Sequence, residues 1–266
     1  MPILTVIDWY GRLGNNIVQV INCILVCLHH KNLNVELMSR DFFNTTLLTI
    51  NADVPFNEDR LMELSSFYYK HYIVEQHPWI NSECFTINIE KMLEILRELF
   101  VFKYKDLEPL GPNDLTIHIR SGDIFQGDGS NSEYIVPPLS YYVNIIDAGN
   151  YHTIYLISQD TLNPCINKLV ELYPNIHFSV NDIVDDIHLI MRSTNIVCSF
   201  GTFVPALLNM TDYTKKVYFP SYFESIYYDS CFNKKSVAVS VDLTDYKNKL
   251  SSWHNTPEQI EFIMTY

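Results

Sequence analysis

Basic side chains and glycines are both scarce in this chain. Eighteen Lys and Arg stand against 31 Asp and Glu, for a formal net charge of −13, and only eight glycines occur in 266 residues. A surface that tracks a phosphate backbone needs clustered Lys and Arg, so the first shortage excludes wholesale binding to nucleic acid, while one basic pocket for a single small anion remains open. No low-complexity tract is present, and a composition of 47% hydrophobic and 18% charged residues is that of an ordinary folded protein. Long apolar runs are missing too. The nearest, Ile17 to Leu28, contains Gln19 and Asn22 and is too short to cross about 30 Å of hydrocarbon, so it reads as a core helix and the chain as not membrane-spanning. The opening residues "MPILTVIDWYGRLGNN" show neither a basic region ahead of an apolar stretch nor a small-residue cleavage site, which gives a cytoplasmic expectation. Six cysteines, Cys23, Cys27, Cys84, Cys165, Cys198 and Cys231, lack CxxC or Cys/His spacing and are expected as reduced, buried thiols. In such a chain "NTT" at Asn44 and "NMT" at Asn209 match the glycosylation pattern by chance.

A chain of 266 residues fits either one large domain or two smaller ones. The first half opens with a strand at Ile3 to Ile7, a glycine-bearing turn at Gly11 to Asn15, a helix from Asn16 to about His30, and a second strand, "LNVELM". That succession is a βαβ unit with a parallel sheet. A less regular region follows from Ser39 to Asn88, rich in aromatics ("SSFYYKHYIVEQHPW"), then a helix near Ile89 to Phe102. Two prolines and a glycine among the charges of "KYKDLEPLGPND" place a domain boundary there. Beyond it strands and helices alternate: "LTIHIR", a helix at Leu139 to Ala148, "TIYLIS", a helix at Cys165 to Leu172, "IHFSV", a helix capped by Asp182, "NIVCS", a helix from Phe203 to Met210, "KVYFP" and "SVAVSVDL". Such a pattern is a doubly wound α/β sheet, which binds ligands beyond the carboxyl ends of its strands.

Three stretches carry candidate chemistry. "GRLGNN", Gly11 to Asn16, is a turn between strand and helix where backbone amides welcome an anion, with Arg12, Asn15 and Asn16 as added donors; a tight turn with close packing would also use its two glycines. In "HIRSGD", strand alternation puts His118 and Arg120 on one face, and Gly122 lets the chain turn without obstructing an approach. Arg120 offers a planar fork for two phosphate oxygens, or else pairs with Asp123 and only ties down the loop. In "SFGTFV", amides of Gly201, Thr202 and Phe203 and hydroxyls of Ser199 and Thr202 suit a diphosphate, and they equally suit an ordinary capped helix.

Asp182, Asp185 and Asp186 invite a metal reading, but carboxylates in a first helical turn are explained by the helix dipole. There is no DxD, HExxH or cysteine-based zinc pattern, so no metal is expected, and His188 reads as a helix-face histidine.

In this order the stretches resemble the fucosyltransferase superfamily, which includes α-1,2- and α-1,6-fucosyltransferases and protein O-fucosyltransferases. "GRLGNN" is similar to its G-x-x-G-N-[NQ] turn, "HIRSGD" to its H-x-R-R-x-D stretch, "YLISQD" to its S-x-D segment, and "SFGTFV" to its C-terminal Ser/Phe-rich loop. Ser121 stands where the second arginine of that motif would be, and the C-terminal loop lacks the tryptophan often found there. The resemblance implies an α/β, GT-B-like architecture of two Rossmann-like domains with parallel sheets facing a cleft, residues 1–112 on the acceptor side and 113–266 holding the donor. It implies an inverting, metal-independent glycosyltransferase that moves fucose from GDP-fucose to a glycan hydroxyl, with no cofactor beyond the donor. Arg120, Asp123 and Asn15 would be catalytic. His118, Arg120, Gly122, Asp160, Ser199, Phe200, Gly201, Thr202 and Phe203 would bind the donor, and Gly11, Arg12, Gly14, Asn15 and Asn16 would form the N-terminal loop of the cleft. A base would come from Asp8, Asp123 or Asp160, unranked. Aromatics between Phe67 and Trp79 fit either an acceptor platform or core packing. Another nucleotide sugar, or a nucleotide- or carbohydrate-binding protein without catalysis, would fit the same scaffold.

Overall fold

In a computed structural model the chain is described at residues 3–6, 9, 11–29, 32–37, 41–44, 47–51, 89–126, 134–233 and 235–266. The aromatic-rich segment at 67–79 and Asp8 lie outside these residues, and so does Cys84. By contact the chain separates into two compact units: Met1–Asp106 with Pro205–Met210 and Tyr228–Asn233, and Leu107–Val204 with Thr211–Tyr227 and Lys234–Tyr266.

The first unit contains β1 (Ile3–Val6), α1 (Leu13–His29), β2 (Asn32–Leu37), β3 (Leu47–Asn51) and α2 (Ile89–Leu99). β1 and β2 pair in parallel, as a βαβ succession requires, but β3 pairs antiparallel with β2. The expectation of a purely parallel sheet therefore fails in this unit. The connection at residues 38–46 is shorter than the dozen or so residues that a parallel crossover needs, so the chain can only fold back. α2 is amphipathic: Met92, Leu93, Ile95, Leu96 and Leu99 are buried, and it packs against the buried α1. It stops at Leu99 rather than near Phe102 because Phe100 bridges to Phe43, and the Lys103 ammonium caps the last carbonyls, bonding Arg97 O and Glu98 O at 2.5 and 3.0 Å.

Asn209 is the polar hub of this unit. Its fully buried amide donates to Ser230 O (2.7 Å) and Ala206 O (3.1 Å) and accepts from the amides of Phe232 (2.7 Å) and Asn233 (3.2 Å). Its own carbonyl accepts from Arg97 Nε at 2.8 Å. With the side chain consumed in this way, "NMT" at this position is a packing feature and has no room for a glycan.

The second unit is an α/β layer around a six-stranded, all-parallel sheet in the order β6-β5-β4-β7-β8-β9. The strands are β4 (Asp114–His118), β5 (Thr153–Ile157), β6 (Ile176–Phe178), β7 (Asn195–Val197), β8 (Lys216–Pro220) and β9 (Val237–Val241). Counted from β4 the order is 3-2-1-4-5-6, the doubly wound arrangement. Leu115, Ile117, Ile154, Leu156 and Val197 bury one face under α3 (Leu139–Ala148) and α4 (Pro164–Leu172). The opposite face meets α5 (Ile183–Arg192), whose Ile187, Ile190 and Met191 are buried; beside it the Thr116 hydroxyl bonds that of Ser193 at 2.5 Å. Asp182 caps α5 as expected, accepting from the amides of Val184 and Asp185.

Two further helices close the core, α8 (Thr244–Leu250) and α9 (Pro257–Thr265), after α6 (Phe203–Leu207) and α7 (Glu224–Ser230). The sequence reading stops short of them, although Thr256 followed by Pro257 is a legible start: the Thr256 hydroxyl accepts from Gln259 N at 3.3 Å. They bring Tyr246, Trp253 and Ile263 into the main core, with Trp253 Nε1 donating to Ile124 O at 2.7 Å. Cys23, Cys165, Cys198 and Cys231 are free and buried, and burial pushes the thiols of Cys23 and Cys165 up to about 12.

Two stability experiments follow from this packing. Asn209→Ala leaves two amides and several carbonyls without their partner and is expected to lower unfolding free energy by about 2–4 kcal/mol in a denaturant titration. Burial, reinforced by the charges of Asp185 and Asp182 and opposed by a hydrogen bond from Asn181, pushes the Asp186 carboxyl up to about 6. Because the folded value lies above the unfolded one, stability from this group is present below the ordinary carboxylate range and lost as pH rises through about 6. Asp186→Asn should therefore stabilise the protein by roughly 1–3 kcal/mol near pH 8 and leave it unchanged near pH 4. A thermal melting series against pH measures the difference.

Candidate functional site

β4 and β7 are neighbours at the centre of the sheet, and the loops that follow them carry "HIRSGD" and "SFGTFV". The crossovers leave these two strands on opposite sides of the switch point, where a doubly wound sheet opens a crevice beyond its carboxyl ends.

Beyond His118, Ile119 N still bonds Ile157 O at 2.9 Å, and Arg120 projects where the ladder ends. Gly122 then turns the chain at φ 72°, where a side chain would be strained, and a Cβ would collide with the Gln159 amide. Arg120 donates to Asp123 Oδ1 at 2.6 Å, with the two side chains 18% and 42% exposed. Its Cζ lies 5.9 Å from the Tyr134 ring. A partly exposed pair contributes at most about 1 kcal/mol, so a dianionic ligand can compete with Asp123 for the guanidinium. Of the two readings of "HIRSGD", the pairing that ties the loop is the one observed.

Aromatic contacts join the two loops. Phe200 meets Tyr134 edge-on at 5.1 Å and Phe223 at 5.6 Å, while His118 lies 5.7 Å from the Phe203 ring. Arg120 and Phe200 are therefore brought together through Tyr134, which nothing in "SEYIVPP" marks as part of a site, while His118 meets Phe203 directly. Burial and the adjacent Arg120 guanidinium push the His118 imidazole down to about 3. It is neutral at physiological pH and can shape a pocket floor, but it is not poised as a proton carrier near pH 7.

Ser121 and Asp160 are joined in a support beneath Arg120. Ser121 Oγ donates to Asp160 Oδ1 and accepts from Asn163 N at 3.0 Å, and the same carboxylate oxygen accepts from Leu162 N at 3.0 Å and Gly122 N at 3.3 Å. Burial works to raise the Asp160 carboxyl, but these bonds and one from Gln159 outweigh it, so its pKa is lowered. Asn163 completes the staple: buried, it caps α4 by accepting from Cys165 N and donates to Arg120 O, each at 3.0 Å. The serine in place of a second arginine belongs to this support beneath Arg120. One oxygen of Asp160 is committed to it; the other meets only the Gln159 amide, at 3.5 Å.

The loop after β7 needs two corrections. Ser199 does not face the crevice. Alternation from Val197 carries it to the core side, where it is 2% exposed and its hydroxyl meets no hydrogen-bond partner among the described residues. The following helix, expected to run from Phe203 to Met210, is five residues of α-helix and a 3₁₀ turn at Leu208–Met210, so its dipole adds little to anion binding. Thr202 is buried, while Gly201, at φ 118°, has nothing among the described residues within 4 Å of where a Cβ would be, so as far as these residues go the backbone there is open to approach.

In the first unit Gly11 holds φ 67° and sits against the Asn15 amide, with Gly11 and Arg12 exposed and Asn15 half-buried. Gly14 and Asn16 lie inside α1 and are buried. Asn16 donates to Gln19 Oε1 at 3.4 Å, so of the two amides expected as surface donors, Asn16 is a core residue.

The chain matches no protein-family model, no curated protein and no solved structure. Among the described residues no group of His, Cys, Asp or Glu could hold a metal ion, and no helix is long and apolar enough to cross a membrane.

The turn at Gly122 generates a test of the site's frame. Gly122→Ala should cost about 1–3 kcal/mol in a denaturant titration, through positive φ and the clash with Gln159. In the Gln159→Ala background only the φ penalty should remain, so the loss should shrink.

Proposed function

We propose that this protein is an inverting glycosyltransferase on a GT-B-like scaffold, which uses a nucleotide-activated sugar, GDP-fucose on the resemblance of its motifs, and a glycan hydroxyl as acceptor. The single observation that carries the reading is the placement of Arg120: a guanidinium at the carboxyl end of a central strand, beside the switch point, with the open backbone of Gly201 on the loop after the neighbouring strand. In an acidic chain this is the kind of group that a pyrophosphate finds.

In the proposed reaction the acceptor oxygen attacks C1 of the sugar opposite the nucleotide. The bond from C1 to the β-phosphate oxygen breaks, its electron pair leaves on the diphosphate, and the acceptor proton passes to a carboxylate or to water. Charge builds on the leaving oxygens, where Arg120 exchanges Asp123 for the diphosphate and stabilises it; this is electrostatic catalysis and requires no metal. Asp123, released from the guanidinium, is the described carboxylate closest to this event along the chain. Phe200, Phe203 and the neutral His118 would supply the walls.

One observation favours a second reading, a nucleotide-binding protein without transfer. Both described candidate bases, Asp123 and Asp160, are already hydrogen-bonded within the protein.

Donor hydrolysis, with water as the acceptor, separates the two. Incubated with a panel of nucleotide sugars, the protein should release free nucleotide from GDP-fucose above the others, and Arg120→Ala should reduce that rate by about 100-fold or more while the melting temperature stays near wild type. Undiminished turnover in the variant removes Arg120 from the mechanism. Nucleotide binding with no hydrolysis of any donor establishes the second reading instead.

A further inference from the structure

Away from the β4 and β7 loops, a cavity of about 390 Å³ opens on the edge of the sheet, within the range of small-molecule sites. Among the described residues β6 is the edge strand of the sheet. Tyr155 and His177 are register partners on β5 and β6, and their rings are stacked, 5.9 Å apart and 29° from parallel. The pair lines the cavity together with Leu189 of α5, and His177, on the edge strand, is its exposed member. Beside these rings, Ser179 Oγ donates to Asn181 Oδ1 at 2.5 Å, and that contact fixes which way the Asn181 amide points. It leaves one carbonyl lone pair and the serine lone pairs for a ligand.

The residues lining this cavity include no Lys, Arg, Asp or Glu, so it offers no counter-charge to an ionic ligand. The exposed His177 ring beside a pre-oriented amide and a hydroxyl suits a molecule with one apolar face and a rim of hydroxyls. A pyranose ring has that shape: its C–H face stacks on the ring, and adjacent hydroxyls both donate to and accept from an amide. A nucleobase would sit better in a closed slot between apolar walls, and this groove is open along an edge strand whose His177 and Ser179 are exposed.

We infer that the groove formed by Tyr155, His177, Ser179 and Asn181 is a binding site for a neutral saccharide, separate from the Arg120 site. The inference does not rest on the transferase reading. If that reading holds, the groove gives a glycan a second hold on the protein, away from the reacting hydroxyl.

The test is a titration of the full chain with methyl glycosides and neutral disaccharides, followed by ligand-observed NMR. At least one saccharide should bind. His177→Ala and Asn181→Ala should each weaken it by about tenfold, in keeping with the loss of a stacking face or a hydrogen-bonded amide. His177 is exposed, so its substitution leaves the core intact. Arg120→Ala should leave saccharide binding unchanged, which keeps the outcome distinct from any failure at the nucleotide site. No saccharide binding, binding insensitive to both groove variants, or binding of a nucleoside that the groove variants abolish, would each overturn the assignment.

Discussion

After β4 the sheet grows in one direction through β5 and β6, and the return crossover through α5 sends it the other way, so β4 and β7 are neighbours whose following loops leave on opposite sides. Backbone beyond two such strands cannot close over itself, and the gap must be filled by side chains or by a ligand. In this protein the loops beyond these strands meet through aromatic contacts, Tyr134 with Phe200, Phe200 with Phe223 and Phe203 with His118, and the Arg120 guanidinium lies near Tyr134. That one topological constraint decides which residues can meet, and it selects the single strongly basic group of the motif.

The frame beneath Arg120 is built with more hydrogen bonds than the guanidinium itself makes to Asp123. Ser121, Asp160 and Asn163 tie the loop after β4 to the one after β5 and to the start of α4, and the Arg120 carbonyl is one of the tied atoms. A side chain paired with a partly exposed carboxylate, on a backbone held by several hydrogen bonds, is fixed in position. That is a property that an anion clamp needs.

Much of this was legible in the chain. Continuous apolar strands separated by capped helices gave the alternation from Leu115 onward, because Asp182 and the Asn163–Pro164 pair mark helix starts by a mechanism that works locally. What escaped depended on partners distant in sequence. Nothing near Asn209 reveals that its amide will bind backbone at Ser230, Phe232 and Asn233. Nothing around Tyr134 reveals that it will stand between Arg120 and Phe200. Ser199 is different: alternation on from the buried Val197 turns it inward, a placement that was legible in the strand itself. The antiparallel turn to β3 was likewise open to a length argument on residues 38–46.

The central claim is that Arg120 recognises a diphosphate, and calorimetry with GDP and guanosine addresses it most directly. The two ligands share the base and ribose and differ in the group that the guanidinium would hold. GDP should bind about 10- to 100-fold more tightly than guanosine to the wild-type protein, the scale of charge-assisted hydrogen bonds, and Arg120→Ala should erase most of that gap. Equal affinity for the two ligands, or a gap that survives the substitution, would contradict it.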